Sequence, residues 1–160
     1  MDASNCWTEP NCVESGEPTR VLLVEDAPFV RYAFGRLLRR HGFDVCEATN
    51  GREALQRASE FHPQFVLTDL MMPVMDGFEL TRRLHAQPET SRLPVLAITA
   101  DATEQTERKA REAGALDVIT KPIDLGVVLD RLNALSHKSE GQTGQVSSVP
   151  REPHVPRGRG

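Results

Sequence analysis

The sequence predicts an α/β domain in which a five-stranded parallel sheet is covered by helices on both faces. Two observations carry this. Short apolar runs bounded by Gly, Pro, Asp or Asn alternate five times with segments of helical period. Strands separated by helices need crossover connections, and crossovers make neighbouring strands parallel.

The elements follow in order. Residues 20–24 form the first strand, and the helix over 28–40 places Phe29, Ala33, Phe34, Leu37 and Leu38 on one face. Gly42 stands where a helix C-cap favours glycine. The second strand, 43–48, ends near Thr49 and Asn50 with nothing chemically distinctive, as suits a sheet edge, and a helix spans 52–61. The third strand, 65–68, runs into Asp69. The loop after it, Leu-Met-Met-Pro, leads to Asp76, which reads as the cap of a helix over 77–86. Met71, Met72 and Met75 read chiefly as fillers of core gaps. The fourth strand is 95–99, and the helix over 103–113 has only Ala110 and Ala113 as apolar residues before the C-cap Gly114. A fifth strand, 116–120, precedes a helix over 124–136 with Leu125, Val128, Leu129, Leu132 and Leu135 on one face.

At 160 residues the chain accommodates one domain of average size with tails. Residues 1–18 carry four acids and no base and read as a flexible acidic arm. Residues 138–160 are rich in Gly, Ser, Gln, Pro and Arg and read as a disordered tail. The domain between them is 19–137. Of the net charge of −4, the arm holds −4 and the tail +2, which leaves −2 on the domain. No basic footprint is present, so direct nucleic-acid binding is not expected. The N-terminus has no signal-peptide pattern and no apolar stretch approaches the length of a membrane span, so a cytoplasmic protein without membrane insertion is expected. Cys6, Cys12 and Cys46 have neither disulfide nor zinc spacing and read as free thiols, with Cys46 a small buried strand residue. The five histidines show no ligand spacing and read as surface or loop residues.

In an open parallel sheet, ligands sit beyond the carboxyl ends of the strands. Four of the five predicted strands deliver a polar group there: Glu25 and Asp26 after the first, Asp69 after the third, Thr99 at the end of the fourth, Lys121 after the fifth. Taken alone, Glu25 and Asp26 fit an N-cap and first-turn acid equally well. Three carboxylates brought together repel, however, and need a cation. An all-oxygen set suits a hard ion such as Mg²⁺, which keeps several waters and bridges to phosphate. Lys121 adds a point charge and Thr99 a hydroxyl donor for phosphoryl oxygens, and an aspartate can itself attack phosphorus.

The segments VLLVEDAPFVR, LTDLMMPVMDGFEL, LAITAD and AGALDVITKPI together resemble the receiver domain of two-component response regulators over about residues 19–137. The intervals of 43 from Asp26 to Asp69, 30 from Asp69 to Thr99 and 22 from Thr99 to Lys121 match that family jointly. The resemblance implies a flavodoxin-like (βα)5 fold with strand order 2-1-3-4-5. It implies Mg²⁺ held by Glu25, Asp26, Asp69 and the Met71 backbone carbonyl, and phosphorylation of Asp69 by a sensor histidine kinase or phosphotransfer protein. It also implies phosphoryl-oxygen binding by Thr99 and Lys121 and a cis bond at Lys121-Pro122. Catalysis would be confined to the protein's own phosphorylation and dephosphorylation. Met71 and Asp101, each two residues past a site residue, resemble a gate over the phosphoryl group. Val118 departs from the family, which commonly has Tyr or Phe there.

No sequence for a DNA-binding or enzymatic output follows residue 137, so signalling is expected through an unidentified downstream protein or by phosphate relay. Two other readings remain. A Mg²⁺-dependent phosphohydrolase with an aspartate nucleophile usually has a second Asp two residues on, where this chain has Met71. A receiver-like binding module that never turns over phosphate would not need the complete residue set.

Overall fold

The computed structural model describes residues 16–140. Expectations for residues 1–15 and 141–160, including Cys6, Cys12 and most of both proposed tails, lie outside these residues. Ten elements alternate: β1 (Arg20–Val24), α1 (Pro28–Arg40), β2 (Asp44–Ala48), α2 (Gly51–Phe61), β3 (Phe65–Asp69), α3 (Gly77–Ala86), β4 (Val95–Thr99), α4 (Glu104–Ala113), β5 (Asp117–Thr120) and α5 (Leu125–Glu140). All strand pairs are parallel, in the order β2-β1-β3-β4-β5. This is the flavodoxin-like doubly wound sheet that the sequence predicts.

Every residue of β3 and β4 is buried, because helices cover both faces of these central strands. Successive side chains of a strand point to opposite faces. Val21 and Leu23 accordingly join Phe34 and Leu38 of α1 and Val128 and Leu132 of α5. Leu22 and Val24 join Ala54 and Ala58 of α2 and Leu80 and Leu84 of α3. A smaller cluster of Leu70, Ala97, Ala110 and Ala115, with Phe78 and Val118 against it, seats α4.

Side-chain caps mark where three helices begin. Asn50, Asp76 and Thr103 each accept a backbone N–H from one turn into α2, α3 and α4, satisfying a donor the helix leaves free. Gly114 closes α4 at φ 111° and Gly42 follows α1 at φ 88°, the left-handed conformation that glycine adopts without penalty.

Several local expectations differ from the structure: Leu37, assigned to the core face of α1, is exposed, and Cys46, expected to be buried, is only half-buried because it lies on the edge strand β2. Phe29 is 82% exposed, since it lies in the first turn of α1 past the sheet's end, where no core faces it. Leu116 is exposed and β5 begins only at Asp117. His85 is a half-buried helix residue whose Nε2 lies 2.9 Å from the Leu93 carbonyl. Helix α5 runs on to Glu140, past the end predicted at 136.

Candidate functional site

The parallel strands end at one rim, and the residues just past β1, β3 and β5 turn their side chains toward one another. Asp69, the last residue of β3, is only 5% exposed. Its Oδ2 lies 2.6 Å from Lys121 Nζ, and its Oδ1 accepts the Met71 backbone N–H at 2.9 Å. Glu25 is 3% exposed; its Oε2 is 3.2 Å from the same ammonium and its Oε1 accepts the Ala27 N–H at 3.1 Å. Asp26 is exposed, yet one oxygen from each of Glu25, Asp26 and Asp69 falls within a common span of 4.8 Å.

Burial, which withholds water from the charged form, raises the pKa of Glu25; the Ala27 N–H opposes this, the Asp69 charge adds to it, and Lys121 works against it. For Lys121, partial burial acts against the charge. Hydrogen bonds and attraction to Asp69 and then Glu25 outweigh it, and the ammonium is held above its ordinary pKa. The site is therefore a cation bracketed by carboxylates, with a further exposed carboxylate at its mouth.

Backbone packing gives this arrangement its position. Leu70 N–H bonds the Ile98 carbonyl, and Gly77 N–H bonds the Leu70 carbonyl, each at 3.0 Å, so the loop after β3 is tied to β4 and to the start of α3. A Cβ on Gly77 would collide with the Asp69 carbonyl oxygen. Lys121 N–H bonds the Thr99 carbonyl at 2.7 Å, and the Lys121-Pro122 bond is cis.

The sequence-predicted residues do not all meet. Glu25, Asp26, Asp69 and Lys121 converge. Thr99 is fully buried at the end of β4, where its Oγ1 accepts the Asp101 N–H at 3.0 Å. Met71 engages Asp69 through its own N–H, while the residue is 70% exposed, so its side chain forms no packed cover. Sequence reasoning missed Arg31, whose Nη1 donates to the Glu25 carbonyl at 2.9 Å and braces the loop carrying both acids. No local pattern announces a contact from the second turn of a helix back to the preceding loop. A separate cavity lined by Ala58, His62, Pro63, Gln87, Thr90 and Leu93 lies at the opposite ends of the strands and shares nothing with this site.

A rim of three carboxylates and a lysine at the carboxyl ends of a 2-1-3-4-5 sheet defines a class, and comparisons with known proteins agree. Residues 21–133 match the response regulator receiver domain. Protein PilH of Pseudomonas aeruginosa is 36% identical over 116 residues, which are 72% of this chain and 96% of PilH. Sensor protein EvgS of Escherichia coli is 39% identical over 119 residues, 74% of this chain but only 10% of EvgS. The structure of the chemotaxis protein CheY4 of Vibrio cholerae superposes with a TM-score of 0.70 at 28% identity, covering 74% of this chain and 98% of CheY4. The chain belongs to the response regulator receiver domains of two-component systems.

Proposed function

We propose that this receiver accepts a phosphoryl group on Asp69 from the phosphohistidine of a sensor histidine kinase or phosphotransfer protein, and that Glu25, Asp26, Asp69 and the Met71 backbone carbonyl hold Mg²⁺ for the transfer. The observation that carries the reading is the pairing of Lys121 Nζ with Asp69 Oδ2 at 2.6 Å beside two further carboxylates.

The donor set fits the ion. Its oxygens lie close enough to share one cation, nitrogen and sulfur ligands are absent from the cluster, and an acid at its mouth is open to solvent. Bound there, Mg²⁺ neutralises charge on the carboxylates and the incoming phosphoryl oxygens. The protein's own residues supply the rest. A carboxylate oxygen of Asp69 attacks phosphorus, the bond from phosphorus to the imidazole nitrogen breaks, and the electron pair returns to the ring. Lys121 transfers its attraction from the carboxylate to the phosphoryl oxygens, and Thr99 offers its hydroxyl proton to one of them. Both act by position and charge, which phosphoryl transfer chiefly requires.

On this reading catalysis is limited to the protein's own phosphorylation and dephosphorylation, and output passes to a downstream protein or onward by phosphate relay. The folding unit on this reading is residues 19–137. Among the described residues no helix is long and apolar enough to cross a membrane. The test is labelling with acetyl phosphate and Mg²⁺. One acid-stable, base-labile phosphoryl group is expected, abolished by EDTA or by Asp69→Asn; undiminished labelling of that variant would overturn the reading.

A further inference from the structure

A chain of hydrogen bonds leaves the site in a direction that the chemistry above does not use. Thr99 Oγ1 accepts the Asp101 N–H at 3.0 Å, and among the described residues its own proton has no acceptor. The Asp101 carboxylate is occupied as well: Oδ1 accepts the Thr103 N–H at 3.1 Å and Oδ2 accepts the Thr106 hydroxyl at 2.6 Å. A hydroxyl has one proton to give. Thr106 gives it to Asp101 and accepts from the Thr103 hydroxyl at 3.1 Å, while Thr103, the N-cap of α4, accepts the Thr106 N–H at 3.3 Å. A continuous link therefore runs from Thr99 through Asp101 into the first turn of α4. The Thr106 hydroxyl is the main reason, with the Thr103 N–H second, that the Asp101 carboxyl sits below its usual pKa, so the carboxylate stays charged and bonded.

The remainder of α4 is lightly held. Of its residues only Ala110 and Ala113 are buried, and methyl groups bury little area. Beyond them one ion pair, from the exposed Arg111 to the half-buried Asp117 at 3.3 Å, joins the helix to β5. On β5 beside it, Val118 is half-buried against the small cluster that seats the helix, and no aromatic ring stands there to swing between positions.

We propose that Thr106 is a positioning residue that, through Asp101, ties Thr99 to the first turn of α4, so that capture of the Thr99 hydroxyl by a phosphoryl group on Asp69 is transmitted to that helix. This rests on Asp69 being the phosphoacceptor. When Thr99 Oγ1 shifts toward the rim, it draws on the Asp101 N–H. The Asp101 carboxylate is bonded to two groups of the α4 cap, the Thr103 N–H and the Thr106 hydroxyl, so a displacement of the Asp101 backbone is carried to the start of the helix. The helix follows as a unit, a shift between close-lying states biased at one end.

Amide hydrogen exchange of the full chain with and without beryllofluoride and Mg²⁺, alongside acetyl phosphate labelling, tests this. Wild type shows its largest change over Glu104–Ala113. Thr106→Val removes the hydroxyl at nearly constant shape; it labels on Asp69 as wild type does and loses the change in α4, while Thr106→Ser restores it. A purely structural role would raise exchange in both states and leave the difference intact, which overturns the proposal, as does failure of serine to rescue. Should Thr106→Val unfold α4 without ligand, Asp101→Ala, which keeps the Thr103 cap, gives the same reading: loss of the α4 change supports the link and its persistence overturns it. Absence of labelling in wild type would instead remove the Asp69 reading, and this inference with it.

Discussion

Lys121 Nζ lies 2.6 Å from Asp69 Oδ2 although the two residues are 52 apart in sequence, and the same ammonium is 3.2 Å from Glu25 Oε2. One cation thus offsets two buried acids, and under the proposed Mg²⁺ site it would compete with the ion for them. Replacing Lys121 by Met is expected to act in opposite directions on two measurements. Mg²⁺ binding, followed by calorimetry, tightens because the competing charge is gone. The rate of labelling by acetyl phosphate falls about a hundredfold or more, because a charge aimed at the phosphoryl oxygens is lost. Weaker Mg²⁺ binding in this variant would show that Lys121 does not share the metal's carboxylates.

Gly77 packs where the loop after β3 turns into α3, and any Cβ there meets the Asp69 carbonyl. The obstacle is backbone, so it cannot rotate away. Gly77→Ala is expected to cost about 1–3 kcal/mol in urea unfolding and to slow labelling by displacing Asp69. Unchanged stability and labelling would mean that the approach is looser than the structure shows.

Val74 sits in the same loop at φ 71° and is 78% exposed. A β-branched residue there is strained by about 1–2 kcal/mol, of which glycine's extra chain entropy would take back part. Val74→Gly should gain roughly 0.5–1 kcal/mol. Labelling on Asp69 should stay as in wild type, since the Val74 side chain is largely exposed to solvent. A loss of stability would indicate that the valine packs against a surface it does not meet here.

The strand ends could be read from sequence because buried parallel strands are uninterrupted apolar runs, and a polar residue after each run can only lie at the rim. That logic placed Glu25, Asp26, Asp69 and Lys121 together, and the resemblance added roles that spacing alone does not assign. Helix faces were less legible. Phe29 has the right period for the core face of α1 but lies past the end of the sheet, and periodicity does not say where a sheet stops. Cross-element hydrogen bonds were the least legible. Arg31 reaching back to Glu25, and Asp101 joining Thr99 to Thr106, depend on loop paths that no residue pattern encodes.

Acid stability offers a check away from the site. The Thr49 hydroxyl first, then the Thr49 N–H and Arg57, pull the Glu53 pKa from 4.5 to about 2. A carboxylate whose folded pKa is depressed contributes stability above its unfolded pKa and loses it as pH falls through the folded one. Here the contribution is complete above pH 4.5 and disappears as pH falls toward about 2. Glu53→Gln keeps an acceptor for Thr49 but does not titrate. It is expected to be less stable than wild type at neutral pH by about 1 kcal/mol, after allowance for solvent screening, and to match it near the acid end. A constant difference across this range would remove Glu53 from the acid response.

The most direct test of the account is the chemical identity of the phosphorylated residue. Acyl phosphates are reduced by borohydride, so the protein labelled with acetyl phosphate and Mg²⁺, then reduced, carries homoserine in place of the aspartate that held the group. Peptide mass spectrometry of the complete digest, covering the segments that carry Asp26 and Asp69, is predicted to find homoserine at position 69 and nowhere else. Homoserine at position 26, or a folded and Mg²⁺-loaded protein with none at position 69, would contradict the account.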